Sequence, residues 1–279
     1  MKFYTNVACR GNHIYYRGIE NGRRVHLKLD YSPTLFVPSQ SPQSTVWKDL
    51  NGRSIDTVQF SSIYEAREYL KKYSDVEGFT IYGNSNFQYT FISDQHQEDS
   101  IEWNISDVVV AYIDIEVGTE HGMPTIEKCE NPITAITIKL SNSSYYDVFG
   151  CGAYTEHRGD IRYHYCTDES DLIEKFLEFW KENYPDVVSG WNVKTFDIPY
   201  IVGRMCALPL FGEERTRWLS PWGKITIKEE QFYGKDQRVF ELLGISILDY
   251  MQLFRKYAPN ASQPSYKLDY IRGILSKEI

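Results

Sequence analysis

The sequence predicts a mixed α/β (α+β) fold in two parts, a smaller and mainly antiparallel N-terminal domain over residues 1–100 and a larger domain with a mixed sheet over residues 101–279. The first hundred residues contain short alternating segments separated by turn residues. Residues 94–100 (DQHQEDS) are polar and acidic and mark a break in composition. Beyond them, continuous apolar runs alternate with segments of helical period.

The composition is that of a globular protein. Of the 279 residues, 42% are hydrophobic, 15% are aromatic and 24% are charged, which excludes a disordered chain, a collagen and a coiled coil. No apolar run approaches the ~20 residues of a membrane span, and the first residues lack the apolar stretch of a signal peptide. We therefore expect a cytoplasmic protein that does not associate with a membrane.

The charged residues are distributed unevenly. The net charge is −8, which does not favour a protein that holds nucleic acid by bulk charge. Residues 1–100 carry 11 basic and 11 acidic side chains, so the whole acidic excess lies beyond residue 100. Clustered carboxylates are therefore expected in the second part of the chain.

In the first part, alternating side chains predict strands over residues 2–9, 13–18 and 24–30, with a turn at Asn21–Gly22 between the last two. These strands follow one another closely and predict an antiparallel meander. Residues 62–73 then carry apolar side chains at helical spacing behind a serine that can cap the helix.

The second part contains the elements of a mixed sheet. Residues 108–115 (VVVAYIDI) are apolar enough to predict a central strand that is buried on both faces. The other predicted elements are strands over 133–140 and 145–149, a helix from Thr167 to near Pro185, a strand over 186–189, a helix from near Asp197 or Pro199 to about Ala207, and a hairpin over 225–243. Three meander strands followed by helix, strand and helix is the order of a ribonuclease H-like sheet.

Two carboxylates lie in the predicted central strand. Asp114 and Glu116 are two residues apart, so the strand period places both side chains on one face of the sheet. Two like charges in an apolar setting raise each other's pKa and need a positive partner. Oxygen ligands without nearby His or Cys favour Mg²⁺ or Mn²⁺. The alternative is that one carboxylate points into solvent at a sheet edge or pairs with an arginine.

A second polar segment, residues 190–200 (GWNVKTFDIPY), lies between a predicted strand and a predicted helix. Gly190 permits a sharp turn, and Asn192 offers an amide that can bond a nucleotide or the backbone. Asp197 lies at the start of the helix. Its alternative interpretation is a helix cap, which needs no ligand.

Together these segments resemble a known family. Residues 112–116 (YIDIE), followed by 190–192 (GWN) and 196–200 (FDIPY), resemble the first two exonuclease motifs of family B DNA polymerases, in particular those of T-even bacteriophages. Residues 244–250 (GISILDY) and 263–270 (QPSYKLDY) also resemble segments of that family. The resemblance implies an N-terminal domain followed by a proofreading 3′ to 5′ exonuclease domain with a ribonuclease H-like fold.

The resemblance also implies roles for individual residues. Asp114, Glu116 and Asp197 match catalytic metal ligands of a two-ion Mg²⁺ or Mn²⁺ site that hydrolyses the terminal phosphodiester. Asn192 and Phe196 are implied to lie along the 3′ end of single-stranded DNA, whose bases stack on aromatic rings.

Two further substrate contacts are implied. Tyr233 lies in the predicted hairpin, which would help to part template from primer. Met123 occupies a position where related polymerases tend to carry an aromatic residue that wedges against a base. A methionine packs there but stacks less firmly.

One family feature is missing from the sequence. The family pattern continues with a third exonuclease motif, Tyr-x-x-x-Asp, whose aspartate completes the metal site, and the sequence ends at Ile279 before such a motif. We therefore expect an exonuclease domain that is incomplete at its C-terminal end, a weakly held second ion, and a polymerase-domain chain or a further C-terminal part as partner. The alternative is a fragment without catalysis that binds nucleic acid or assembles with a polymerase. The resemblance also implies RNA as a partner of the N-terminal domain.

Overall fold

The contacts within the chain divide it into two compact units, Met1–Asn104 and Ile105–Ile279. The structure is a computed structural model. It describes residues 2–41, 46–96, 101–156, 158–232, 234–258 and 262–276.

The first unit is built on a three-stranded antiparallel meander, as the sequence predicts. Its strands are β1 (Lys2–Arg10), β2 (His13–Glu20), β3 (Arg23–Asp30), β4 (Thr34–Pro38) and β5 (Ile55–Gln59). β2 pairs with both β1 and β3. Asn21 and Gly22 form the β2–β3 turn with φ of 51° and 74°, the positive values that a two-residue hairpin turn requires. The separate β4–β5 hairpin was not predicted.

Two helices complete the first unit, α1 (Ile63–Tyr73) and α2 (Phe87–Gln95). The predicted helix over residues 62–73 is confirmed as α1, and the hydroxyl of Ser62 caps it by accepting the Glu65 N–H at 3.2 Å. Ile63 of α1 and Phe91 of α2 are buried in one core with Ile14 of the meander. α2 was not predicted.

The second unit contains a six-stranded mixed sheet and a separate hairpin. Its strands are β6 (Val110–Val117), β7 (Ile133–Leu140), β8 (Tyr146–Gly150), β9 (Ile161–Tyr165), β10 (Val187–Gly190), β11 (Ile225–Phe232), β12 (Lys235–Leu242) and β13 (Ser246–Asp249). The sheet order is β13-β10-β6-β7-β8-β9. β6, β7 and β8 pair antiparallel, whereas β13/β10, β10/β6 and β8/β9 pair parallel. β11 and β12 form the predicted hairpin.

The helices of the second unit are α3 (Glu169–Glu182), α4 (Asp197–Ala207), α5 (Gly212–Thr216), α6 (Tyr250–Tyr257) and α7 (Leu268–Leu275). α3 begins two residues later than predicted, and Asp168 caps it by accepting the Asp171 N–H at 2.9 Å. Buried residues of α3 and α4 share one hydrophobic core with β6 and β7. No helix in the described ranges is long and apolar enough to cross a membrane.

The central strand β6 differs from the prediction in its start and in its burial. It begins at Val110 rather than at residue 108, and it is central, between β10 and β7. Only one face is buried. Ala111, Ile113 and Ile115 lie in the core, whereas Tyr112, Asp114 and Glu116 are exposed. The prediction of burial on both faces was wrong because the helices that share its core pack on one face only, and the acidic residues lie on the other.

Candidate active site

Asp114 and Glu116 lie on the exposed face of β6, as their spacing predicts. Although Asp114 is exposed, the surrounding protein partly desolvates it and raises the pKa of its carboxyl. The negative charge of Glu116 raises this pKa further. The charge of Glu116 therefore acts on Asp114, and a cation bound beside both carboxylates would relieve their repulsion.

Gly190 ends β10 beside the central strand. Its neighbour Ser189 is paired with Tyr112 of β6. A Cβ atom on residue 190 would lie 2.5 Å from the carbonyl oxygen of Ile113, so only glycine permits the backbones to approach this closely. The chain can then leave the sheet at this point and begin the β10–α4 loop, residues 191–196.

Asn192 shapes this loop. Its φ of 66° lies in the left-handed region, which asparagine tolerates better than most residues. Its carbonyl oxygen accepts the N–H groups of Thr195 and Phe196 at 3.1 and 2.9 Å. Its side-chain oxygen accepts the Thr195 hydroxyl. The side-chain nitrogen has no hydrogen-bond partner within the described part of the chain.

Asp197 is the first residue of α4 and is only 3% exposed. Its Oδ1 accepts the N–H of Ile115 at 3.1 Å. Ile115 lies on β6 beyond Tyr112, the last residue of β6 that pairs with β10. The helix makes no side-chain cap bond. The interpretation of Asp197 as a simple cap is therefore not supported, because its carboxyl reaches across to the strand that carries Asp114.

The environment of Asp197 disfavours a negative charge. Burial raises its pKa from 3.8 to about 7, and the charges of Asp114 and, to a smaller extent, Asp249 add to this rise. The bonds from the N–H groups of Ile115 and of Asp197 itself oppose it. Asp114 is therefore close enough for its charge to affect the ionisation of Asp197.

Asp249 is a buried carboxylate whose role the sequence reasoning missed. It ends β13 opposite Gly190. Its Oδ1 accepts the N–H groups of Met251 and Gln252 and caps α6. Its Oδ2 accepts the N–H of Lys194 at 3.0 Å and so fixes the β10–α4 loop. An aspartate between a short apolar strand and an amphipathic segment is the sequence signal that would have identified this cap.

The three predicted ligands are not gathered into one cluster. Within the described ranges, no group of three or more His, Cys, Asp or Glu side chains lies closely enough together to hold a metal ion. What the structure brings together is Asp197 with the backbone of β6, with Asp114 within electrostatic reach. Carboxylate oxygens with raised pKa values fit a hard divalent cation, which would favour their ionised form.

Met123 lies in the β6–β7 loop and is 84% exposed. The loop is held by the buried Asn131, which accepts the His121 N–H at 2.8 Å and donates to the Gly122 carbonyl at 2.9 Å. The hydroxyl of Tyr200 on α4 donates to the carbonyl oxygen of Asn131 at 2.8 Å. Sequence reasoning missed Asn131, and it links the exposed loop to the helix that begins with Asp197.

The two aromatic residues predicted to contact the substrate are Phe196 and Tyr233. Phe196 is half-buried, with its ring centroid 5.4 Å from that of Tyr200. Tyr233 lies outside the described residues, between β11 and β12.

The fold and the position of the acidic residues define a class of protein. A mixed sheet whose central strand has its core on one face and acidic side chains on the other, with a further carboxylate at the start of α4, is the arrangement of a ribonuclease H-like exonuclease domain.

Comparison with known proteins identifies the family within this class. Residues 58–271 match the model of "DNA polymerase family B, exonuclease domain", so the chain belongs to this family. The chain is 32% identical to the DNA-directed DNA polymerase of Escherichia phage RB69 and 29% identical to that of Enterobacteria phage T4, in both cases over 97% of its length. A DNA polymerase catalytic subunit of Elephantid herpesvirus 1 is 31% identical over 47% of the chain and 12% of its own length. The chain spans about a third (32%) of the length of the two phage relatives.

Proposed function

We propose that this chain is a 3′ to 5′ exonuclease domain that removes nucleotides from the 3′ end of single-stranded DNA. The observation that carries the proposal is the placement of Asp197. Its carboxyl accepts a bond from the backbone of β6, and burial, with the charge of Asp114, raises its pKa. A pair of coupled carboxylates at a strand and a helix start is suited to a divalent cation and, through it, to a phosphate.

Asp114, Glu116 and Asp197 are the residues that we propose to hold Mg²⁺ or Mn²⁺. Bound ions of this kind activate water and neutralise the charge on the leaving 3′ oxygen, so no protein nucleophile is needed. In the proposal, a second ion binds weakly, because three carboxylates leave it short of anionic ligands.

The other residues in the proposal bind and orient the strand. The side-chain nitrogen of Asn192 donates to the terminal nucleotide, and Phe196 and the exposed Met123 pack against unstacked bases. The loop around Met123 is held by Asn131, and the β10–α4 loop is held by Asp249, so both sides of the strand's path are fixed before the strand arrives. Preformed positioning of this kind lowers the cost of ordering the substrate.

We also propose that residues 1–100 and 101–279 are separate domains, as the two compact units support. The relatives that align along nearly the whole chain are DNA polymerases. We therefore propose a polymerase domain, in the same polypeptide or in another, as the partner of the exonuclease domain.

A second candidate function is binding of nucleic acid without hydrolysis. It is favoured by the lack of a three-ligand cluster among the described side chains. The two candidates differ in chemistry and not in binding, because stacking and phosphate contacts do not depend on a complete metal site.

The test is degradation of a 5′-labelled single strand in Mg²⁺ or Mn²⁺. We expect slow shortening from the 3′ end, abolished in Asp114→Asn and unchanged in Glu178→Gln, an exposed carboxylate of α3. A 3′-phosphorothioate end should stop the reaction. Tight binding of the strand without any shortening would overturn the exonuclease proposal and favour the second candidate.

A further inference from the structure

Two free cysteines lie at matching ends of neighbouring strands. Cys151 follows the last residue of β8, and Cys166 follows the last residue of β9. The parallel register of these strands ends with Gly150 opposite Tyr165. One step farther along both strands, Cys151 stands opposite Cys166. The Cys166 N–H donates to the Gly150 carbonyl oxygen at 2.9 Å, so the sheet still holds the backbone at this step.

Side chains at alternate pairs of β8 and β9 lie on one face of the sheet and touch. Asp147 is opposite Arg162, and their side chains form an ion pair of 2.9 Å. Phe149 is opposite His164, and their rings stack with centroids 4.5 Å apart. A strand period of two makes the two cysteines the next pair in this series, so their thiols share that face.

The spacing of the pair suits a disulfide. Opposite residues of neighbouring strands have Cα atoms roughly 5 Å apart, inside the range of about 4.4–6.8 Å that a disulfide spans. Burial raises the pKa of the Cys166 thiol, and the charge of Cys151 adds to this rise, so the two thiols are within electrostatic reach. The Cys166 thiol donates only a weak bond, to the His164 carbonyl oxygen at 3.2 Å, and a disulfide would replace it.

The two thiols differ in exposure. Cys166 is fully buried in the core, whereas Cys151 is half-buried at the margin of that core. Burial and the charges of Asp168, Glu169 and Asp171 raise the pKa of the Cys151 thiol. Cys151 is therefore the thiol that an oxidant in solution can reach, and it reacts fastest at alkaline pH, where more of it is thiolate.

We propose that Cys151 and Cys166 are a site of reversible disulfide formation that fastens β9 to β8 and takes a low-molecular-weight disulfide as its oxidant. First, the Cys151 thiolate attacks one sulfur of the oxidant, forms a mixed disulfide and releases one thiolate. Then Cys166 loses its proton to water, and its thiolate attacks the Cys151 sulfur and displaces the second thiolate. The two cysteines lose two electrons, and the oxidant is reduced to two thiols. The buried thiol never has to meet the oxidant.

The disulfide acts on an edge of the sheet. β9 is the last strand of the sheet, with β8 as its neighbour. Strands at such an edge open locally more readily than central strands. A covalent link at the end of β9 closes the segment between the two cysteines into a ring and restricts this opening.

The first arm of the test is a peptide map of the unaltered chain after treatment with excess oxidised glutathione at about pH 8.5, where thiolate is available. Trypsin cleaves after Arg158 and Arg162, between the two cysteines, so the disulfide joins peptides 140–158 and 163–175. We expect these joined peptides as the main disulfide product, and dithiothreitol should separate them. Amide hydrogens of β9 should exchange at least about threefold more slowly in the oxidised chain than in the reduced chain.

The second arm uses substitutions. In Cys166→Ser only the first step can occur, so the mixed disulfide with glutathione should accumulate on Cys151. Cys166→Ala, which places no polar group in the core, is the second variant and should give the same result. The matched control is Cys206→Ser, an exposed cysteine of α4 whose loss should leave the product unchanged.

Three results would overturn the proposal. One is a map in which glutathione adds to Cys151 of the unaltered chain but Cys166 stays unlinked. Another is a main product that joins Cys129 to Cys206, a pair that is also within electrostatic reach but does not lie on paired strands. The third is unchanged exchange in β9 of the oxidised chain, because the disulfide would then not fasten the strand.

Discussion

Replacing Asp197 with asparagine tests the electrostatics of the candidate site. Asparagine keeps the side-chain oxygen that accepts the Ile115 N–H, and it removes the buried negative charge. The pKa of Asp197 is raised from 3.8 to about 7, so the folded protein holds the proton more tightly than the unfolded chain does. Below about pH 3 the carboxyl is protonated in both states and has no effect on stability.

The sign and size of the effect follow from this shift. As the pH rises from 4 to 7, the unfolded chain ionises first, and the free energy of unfolding of the unaltered protein falls. A shift of roughly three units corresponds to about 4 kcal/mol, of which about 2.5 kcal/mol develops between pH 5 and pH 8. The Asp197→Asn variant lacks this loss, so its advantage in stability should grow with pH.

Urea unfolding at several pH values from 5 to 8, without divalent ions, measures the effect. We expect the free energy of unfolding of Asp197→Asn, relative to that of the unaltered protein, to rise by about 2–3 kcal/mol between pH 5 and pH 8. Glu178→Gln on the exposed side of α3 is the control and should give parallel curves. Parallel curves for Asp197→Asn would refute the argument, because the carboxyl would then not be buried beside another charge.

Three other substitutions test the packing around the site and in the first unit. Gly190→Ala should lower the free energy of unfolding by about 1–3 kcal/mol, since its Cβ would meet the Ile113 carbonyl at 2.5 Å. Asn131→Ala should cost about 1–3 kcal/mol, since it removes two bonds to the β6–β7 loop, and should speed hydrogen exchange there. Ser62→Ala should cost about 1 kcal/mol through loss of the cap bond from Glu65 and should affect exchange in the first unit only.

Each of these has a result that would contradict it. An unchanged midpoint in urea for Gly190→Ala would mean that β6 and β10 are farther apart than the structure has them. Normal exchange in the β6–β7 loop of Asn131→Ala would remove Asn131 as its support. Faster exchange spread over both units in Ser62→Ala would mean that the units do not unfold separately.

Elements with a strong local signal could be predicted from the sequence. The meander, α1, α4 and the β11–β12 hairpin were predicted because each combines a clear period with turn or cap residues, such as Asn21–Gly22 and Ser62. Residues 161–165 (IRYHY) were missed because an edge strand buries little, and its polar side chains give no continuous apolar run. α2 was missed because its sequence FQYTFISDQ has no clear amphipathic period.

The site was predicted only in part. The spacing of Asp114 and Glu116 fixed their common face, because the strand period is two. The apolar neighbours of these residues suggested burial on both faces, whereas the core covers one. Asp249 also bonds Lys194, and Asn131 also bonds Tyr200. These contacts join segments that are distant in sequence, and they depend on tertiary packing that a local pattern does not contain.

Calorimetric titration with Mn²⁺ tests most directly whether the carboxylates of β6 and α4 form one cation site. We expect binding by the unaltered chain to weaken at least about tenfold in Asp114→Asn and in Asp197→Asn, since each removes a proposed ligand. Glu178→Gln should bind as the unaltered chain does. Equal Mn²⁺ affinity in all four proteins would contradict the assignment of Asp114 and Asp197 to a common site.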